Sequence, residues 1–443
     1  MDSSVEYKTI ENITHAKYKN LYYIDSKFYF LTTKHHKNIN IKSIKTLGGP
    51  EHFRTIHPSR YTLLPIIKYF EKEKDLNNYV LSLNLKELTK PTLRFSHYYD
   101  HNIAHGLYDA LYPIFLCYLR FFTGNEYDSF NMFLNTFIDP RGWRMPENYT
   151  ATRDWVLNVF KDFCIGGEFM LAEHTHCNIK FNTLVVGGWH AGISFTNKHF
   201  IMPGKKIYAL EKFRDRFLKA YNIPPSNKSN KLKILIIDSK RYSEEEKKNL
   251  IKLLVDYSRK ETIETQLINW KDITSFKEQL KIMNNADIQI SCAGTSMLNF
   301  PFLKDNSIHI NLGVRSFWHS IPKPSLMETN ICLLSNNITC EFYDIYKHKM
   351  VLYNETKTLI DKCINNLKNK IYLKSIQPDY INKWQNLCEK YPRETQGIID
   401  RMNGETEPCL IFCRFPDFLI YEYIPYYTHF LNGLKNISHN FLL

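Results

Sequence analysis

Between Lys231 and Leu312, strand-length apolar runs alternate with amphipathic segments, and few folds accommodate that alternation. Lys231 to Asp238 (KLKILIID) is a continuous apolar run. Glu244 to Ser258 places Leu250, Leu253, Leu254 and Tyr257 at helical spacing. Thr262 to Ile268 reads as a strand, and Ser275 to Asn285 as a helix with Phe276, Leu280 and Met283 on one side. Asp287 to Cys292 and Ser307 to Leu312 read as further strands, with an apolar, helical segment between them. The pattern predicts a parallel sheet with helices on both faces, a Rossmann-like domain of the α/β class.

Ligands of such sheets lie at the carboxyl ends of the strands. Two turns fall there: Asp238-Ser239-Lys240-Arg241, and Ala293-Gly294-Thr295-Ser296 after the Asp287 to Cys292 strand. A strand, a small-residue turn and a helix together suit a diphosphate. The helix start offers unpaired N–H groups, and Gly294 lets the backbone approach a ligand. By itself the tetrapeptide is a weak signal, because any turn between strand and helix can contain it. Lys240 and Arg241 either neutralise phosphate oxygens or form a solvated turn.

A second cluster lies in the N-terminal half, where Tyr22 to Thr32 and Tyr79 to Leu85 read as strands. From Asn102 the chain reads as a helix with Ile103, Leu107, Leu111, Ile114 and Phe115 apolar. His97, His101 and His105 recur every four residues, and Asp109 continues the series. Residues four apart share a helix face, so His101, His105 and Asp109 are expected to project together. The functional readings are an acid/base site or a metal site. The bland alternative is a polar helix side bonded to nearby backbone or lining a cleft.

A chain of 443 residues holds about two to three domains. The formal net charge of +13 suits an anionic ligand, which includes a nucleotide sugar, a nucleic acid or a membrane surface. The lysines are dispersed on helix faces, which favours ordinary solvated surface over a nucleic-acid groove. The ten cysteines form no evident framework: Cys409 and Cys413 lie four apart without a second close pair, and Cys117, Cys164 and Cys292 sit in apolar contexts as core thiols. The first residues, MDSSVEYKTIENITH, lack an apolar core, and no run is long enough to span a membrane, so a cytoplasmic protein is expected. The sequons at Asn148, Asn227, Asn337, Asn354 and Asn436 then read as chance matches.

Taken in order, these segments resemble glycosyltransferase family 61, the group that includes the plant xylan arabinosyl- and xylosyltransferases. Asn102-Ile103-Ala104-His105, continuing to Asp109, is similar to the family's Asn-x-x-His…Asp helix. Leu210 to Arg214, the Lys233 to Arg241 strand with its basic end, Ser275 to Gln279, Met283 to Asp287 and the Ala293-Gly294 turn follow in the family's order. They cover about half the chain, from Leu93 to Leu312. Two positions depart from the family: Ser291 stands in place of its turn histidine, and Asn311 in place of its acidic residue after the last strand.

The resemblance implies a GT-B architecture, two Rossmann-like domains facing each other across a cleft. Residues 1–204 would bind the acceptor, 205–345 the nucleotide sugar, and 346–443 would form a partly helical C-terminal extension. In that extension Glu355 to Tyr372 and Tyr380 to Cys388 read as helices, before an aromatic end at Phe415 to Phe430. The implied chemistry is inverting transfer, from a UDP-sugar by preference, to a glycan or protein hydroxyl. Asp109 is the first choice of base, with His105 second or as its orienting partner, and Asn102 and His101 on the acceptor side. Lys240, Arg241, Ser291, Gly294, Thr295 and Ser296 would face the donor. No metal is required if side chains carry the charge. Glu173, His174 and His176 are next in line as base. The other classes are a metal-dependent hydrolase using His97, His101 and His105, and a basic nucleic-acid-binding protein.

Overall fold

The structure is a computed structural model. It describes residues 2–10, 13–34, 39–46, 62–97, 100–125, 127–136, 148–188, 209–226, 229–292, 297–312, 314–315, 322–323, 335, 337–343, 348 and 350–370. These residues form an α/β protein of two compact units, one ending at Ala220 and the other taking up the chain at Tyr221.

The first unit is built on a nine-stranded mixed sheet. Its strands are β1 (Ser4–Ile10), β2 (Ile13–Ile24), β3 (Lys27–Thr32), β6 (Ile66–Tyr69), β7 (Lys86–Leu88), β8 (Thr92–His97), β9 (Asn131–Thr136), β10 (Phe169–Leu171) and β11 (Ile179–Val186). A separate two-residue pair is β4 (Ile44–Lys45) with β5 (Thr62–Leu63). The spatial order is β10-β9-β8-β11-β2-β3-β6. β10, β9, β8 and β11 run parallel; β2 runs antiparallel to β11, and β3 antiparallel to β2. This half is therefore not the all-parallel sheet expected of a Rossmann-like domain. The cause is local: β2 turns straight back into β3 through Asp25 and Ser26, with φ of 48° and 61°. Positive φ at both central residues matches the right-handed strand twist in a two-residue hairpin.

Among the described residues, four longer helical stretches belong to this unit. They are α1 (Glu73–Ser82), a composite of α2 (Ile103–His105), a π-helical turn (Gly106–Leu111) and α3 (Tyr112–Phe121), then α4 (Tyr149–Phe163) and α5 (Ala209–Ala220). The expected strand at Tyr79 to Leu85 is instead the end of α1 and its exit. Leu76 and Val80, four apart, are buried on one helix face, and Asn84 at φ 44° ends the turn. α3 is buried from Tyr112 to Leu119. Phe115, Phe163, Phe213 and Phe217 join α3, α4 and α5 in one aromatic cluster. The buried Arg216 guanidinium lies 3.8 Å from the Phe130 ring and donates to the Phe163 and Asp128 carbonyls. α5 lies beyond the expected boundary at residue 204, yet it packs within the first unit.

The second unit holds a five-stranded parallel sheet. Its strands are β12 (Leu232–Ile237), β13 (Ile263–Ile268), β14 (Ile288–Ser291), β15 (Ser307–Asn311) and β18 (Ile338–Phe342); β16 (Val314–Arg315) and β17 (Pro322–Lys323) form a separate short pair. The spatial order is β13-β12-β14-β15-β18, so the order of strands reverses between β12 and β14. The helices are α6 (Glu244–Ser258), α7 (Phe276–Asn285) and α8 (Tyr353–Lys368). Ser243 and Glu246 close a reciprocal capping box on α6, and Ser275 caps α7, which is why both helices begin where the sequence predicted. α8 packs on α6, with the Tyr257 hydroxyl donating to Asp361 at 2.8 Å. The segment expected as a helix after β14 is a 3-10 helix, Met297–Phe302, with Pro301 inside it. Proline supplies no backbone N–H for a regular α-helix. The expected helix at Tyr380 to Cys388 and the aromatic end at Phe415 to Phe430 lie outside the described residues.

Candidate functional site

Three neighbouring parallel strands of the first unit, β8, β9 and β10, end on the same edge of the sheet, and polar groups follow each. After β8 the chain reaches Asn102, whose side chain accepts from the Ala104 N–H at 3.0 Å and the His105 N–H at 3.4 Å. That cap starts the helix. The next turn is π-helical, a geometry that single functional turns adopt and that periodicity does not encode. Across it His105 Nδ1 meets Asp109 Oδ2 at 2.5 Å. The two partners differ in access: the His105 side chain is 33% exposed and that of Asp109 only 6%. A ring that donates from Nδ1 to the Asp109 carboxylate carries its lone pair on Nε2.

The other histidines do not join this pair. His97 is the last residue of β8, buried, with its ring 5.6 Å from Phe160. His101 precedes the helix, so helical spacing does not extend to it; its ring meets Tyr149 edge-on at 5.4 Å. Among the described residues no group of three His, Cys, Asp or Glu side chains is placed to hold a metal ion.

The same sheet edge carries a network that spacing could not reveal. Asp100, 2% exposed, accepts from the Tyr149 hydroxyl at 2.8 Å and from Arg153 Nε at 2.8 Å. Arg153 also reaches Thr136 at 2.9 Å and Glu173 at 3.3 Å, and Thr136 donates to Glu173 at 2.6 Å. One guanidinium thus ties together the chain ends that follow β8, β9 and β10. Burial, and then the Asp100 carboxylate, push the Tyr149 hydroxyl well above its usual range, so it remains a donor. His174 and His176 lie exposed on the far side of Glu173 in sequence.

In the second unit the point where strand order reverses, between β12 and β14, is where open parallel sheets take ligands. The basic turn follows β12 there. Lys240 is exposed and Arg241 half-buried, with its amide donating to Ser239 Oγ at 3.2 Å. Cys292, the residue after β14, donates its amide to the Tyr242 hydroxyl at 2.9 Å. Gly294, Thr295 and Ser296 lie outside the described residues. Ser291 and Asn311 are buried strand residues, paired across β14 and β15 as Gln289 and His309 are. No protein-family model matches the chain, and no curated protein matches it in sequence.

Proposed function

We propose that this chain is an inverting glycosyltransferase. It would move a sugar from a nucleotide-diphosphate sugar, with UDP the favoured nucleotide, to a hydroxyl of a glycan or protein. The observation that carries this reading is the His105–Asp109 pair, 2.5 Å apart at the carboxyl edge of the first unit. The resemblance of Asn102, His105 and Asp109 to the family motif, and the basic turn at the β12/β14 reversal, support it. In this reading the two units are the halves of a GT-B enzyme, acceptor on the first and donor on the second.

The exposure of the pair divides its labour. His105 Nε2 takes the proton of the acceptor hydroxyl, while buried Asp109 orients the ring and stabilises the imidazolium. This exchanges the roles expected from the sequence, because a carboxylate sealed behind an imidazole reaches substrate through it. As the acceptor oxygen bonds to the anomeric carbon, the bond from that carbon to the diphosphate oxygen breaks. A single displacement inverts the centre. Arg241, Lys240 and the backbone of the second turn neutralise the departing diphosphate.

The test is a thermal-shift panel of nucleotide sugars followed by turnover assays. A donor at a hundred times its Kd stabilises by about 2.7 kcal/mol. Asp109→Asn and His105→Ala should each lower transfer by about 10²–10⁴-fold with donor binding intact, the usual range for losing a general base. Wild-type turnover in both folded variants, or no nucleotide sugar bound, would refute the reading.

A further inference from the structure

Arg94, on β8, holds a buried charge that the described residues do not neutralise. It is 4% exposed. Burial pulls the guanidinium down to about 10, with Tyr23 and Glu173 opposing the shift, so it stays charged at neutral pH. Nη1 donates to the Phe95 carbonyl, and Nε has no partner. Among the described residues no carboxylate pairs with it. Buried charges are ordinarily paired, because the lost hydration must be replaced. Arg216 shows the usual solution: it donates to the Phe163 and Asp128 carbonyls and lies against the Phe130 ring. Arg94 faces away from α4, since Phe95 beside it packs on Phe160 and successive strand residues alternate. Arg94, Phe133 and Met170 form one row across β8, β9 and β10, and β10 is the edge of the sheet. The guanidinium carbon lies 6.0 Å from the Phe28 ring and 5.8 Å from the Phe133 ring. The margin of this cluster is not sealed: Phe28 and Met170 are only partly buried.

We propose that Arg94 binds the carboxylate of a small organic acid, on the sheet face opposite α4 and at the β10 margin. With Nη1 engaged by Phe95, the Nε and Nη2 edge of the guanidinium presents two parallel N–H groups. A carboxylate accepts both in one plane, the geometry that makes arginine selective for planar oxyanions. The carbon body of the ligand then lies against Phe28 and Phe133, whose rings keep water from the ion pair and so strengthen it. The ligand supplies the negative charge that the described residues leave out. This site is independent of the His105–Asp109 pair and of the transferase reading.

The experiment is thermal unfolding of the full chain at constant ionic strength, with chloride replaced stepwise by acetate, benzoate or phosphate. Acetate and benzoate should raise the melting temperature along a saturating curve, benzoate at the lower concentration because its ring adds apolar contact. A wild-type chain with no saturable response to either overturns the proposal. Tighter binding of phosphate than of benzoate overturns the ligand class. Arg94→Lys keeps the charge but not the paired N–H groups, and should raise the Kd for benzoate by about 10–100-fold. An unchanged Kd places the ligand elsewhere and overturns the role of Arg94. In chloride alone Arg94→Met should melt no lower than wild type, because it removes a buried unpaired charge. A lower melting temperature, which a purely structural arginine predicts, overturns that premise. Should neither variant fold, spectra of the wild type labelled with nitrogen-15 arginine decide. A sheltered Nε–H resonance that moves downfield with benzoate supports the site, and no movement overturns it.

Discussion

His15 and His309 are buried, one in each unit, and burial pushes each imidazole down to about 3. Beside His15 the Arg120 guanidinium, 2.9 Å away, adds to the effect. His309 lies flat against Phe300, with ring centroids 4.2 Å apart. A depressed folded value means that the unfolded chain takes up the proton first. The stabilisation is complete above the unfolded value near 6.5 and fades as pH falls toward 3. Between pH 6 and 5 each histidine should therefore steepen the loss of stability by up to about 1.4 kcal/mol per pH unit. Urea unfolding of His309→Phe across that window should give a shallower pH dependence than wild type, and equal slopes would refute the assignment. At this scale the sequence carried some contacts and not others. His105 and Asp109 are four apart, so helical geometry alone brought them together. Asp100 and Arg153 are brought together by the fold across α3 and β9, and no local pattern marked either.

Among the elements, the turn that carries Asp109 depends on the helix beside it. A Cβ on Gly106 would fall 3.1 Å from Val156 Cγ1 and 3.2 Å from the Phe160 ring, both on α4. Gly106→Val should overpack this contact, costing about 1–3 kcal/mol in urea unfolding. Because the displaced turn holds the His105–Asp109 pair, the transfer proposed above should fall by more than stability accounts for at temperatures well below melting. Activity equal to wild type at 25 °C would show that the pair tolerates the shift. The helix itself was legible from its apolar spacing, and α6 and α7 from their serine caps. The π-helical turn was not, because one extra residue in a turn hardly alters apolar spacing. Nor was α1: the short run at Tyr79 to Leu85 is apolar enough for either element, and only the packing of Leu76 and Val80 decides.

For the whole molecule, legibility follows contact range. The second unit alternates strand and helix along the chain, so its parallel sheet could be anticipated segment by segment. The first unit pairs Tyr23 with Ile179, and no local pattern announces that β2 will run antiparallel to β11. The cellular setting also turns on a long-range fact. No helix of the described residues is long and apolar enough to cross a membrane. The cytoplasmic expectation came from the apolar pattern of the sequence; the cysteines bear on the setting separately, because Cys340, on β18, is disulfide-bonded. Such bonds persist in oxidising compartments and are rare where glutathione is reducing. Chain secreted into an oxidising medium and alkylated after unfolding without reductant should leave Cys340 unmodified. Cys117, Cys164, Cys177 and Cys363 are free and supply the internal control by reacting. Adding reductant first should expose Cys340 and lower unfolding stability by about 2–4 kcal/mol. Cys340→Ala should lose the same stability and show no further change with reductant. Full alkylation of Cys340 in the unreduced chain would show that the bond does not form and would remove this argument for an oxidising environment.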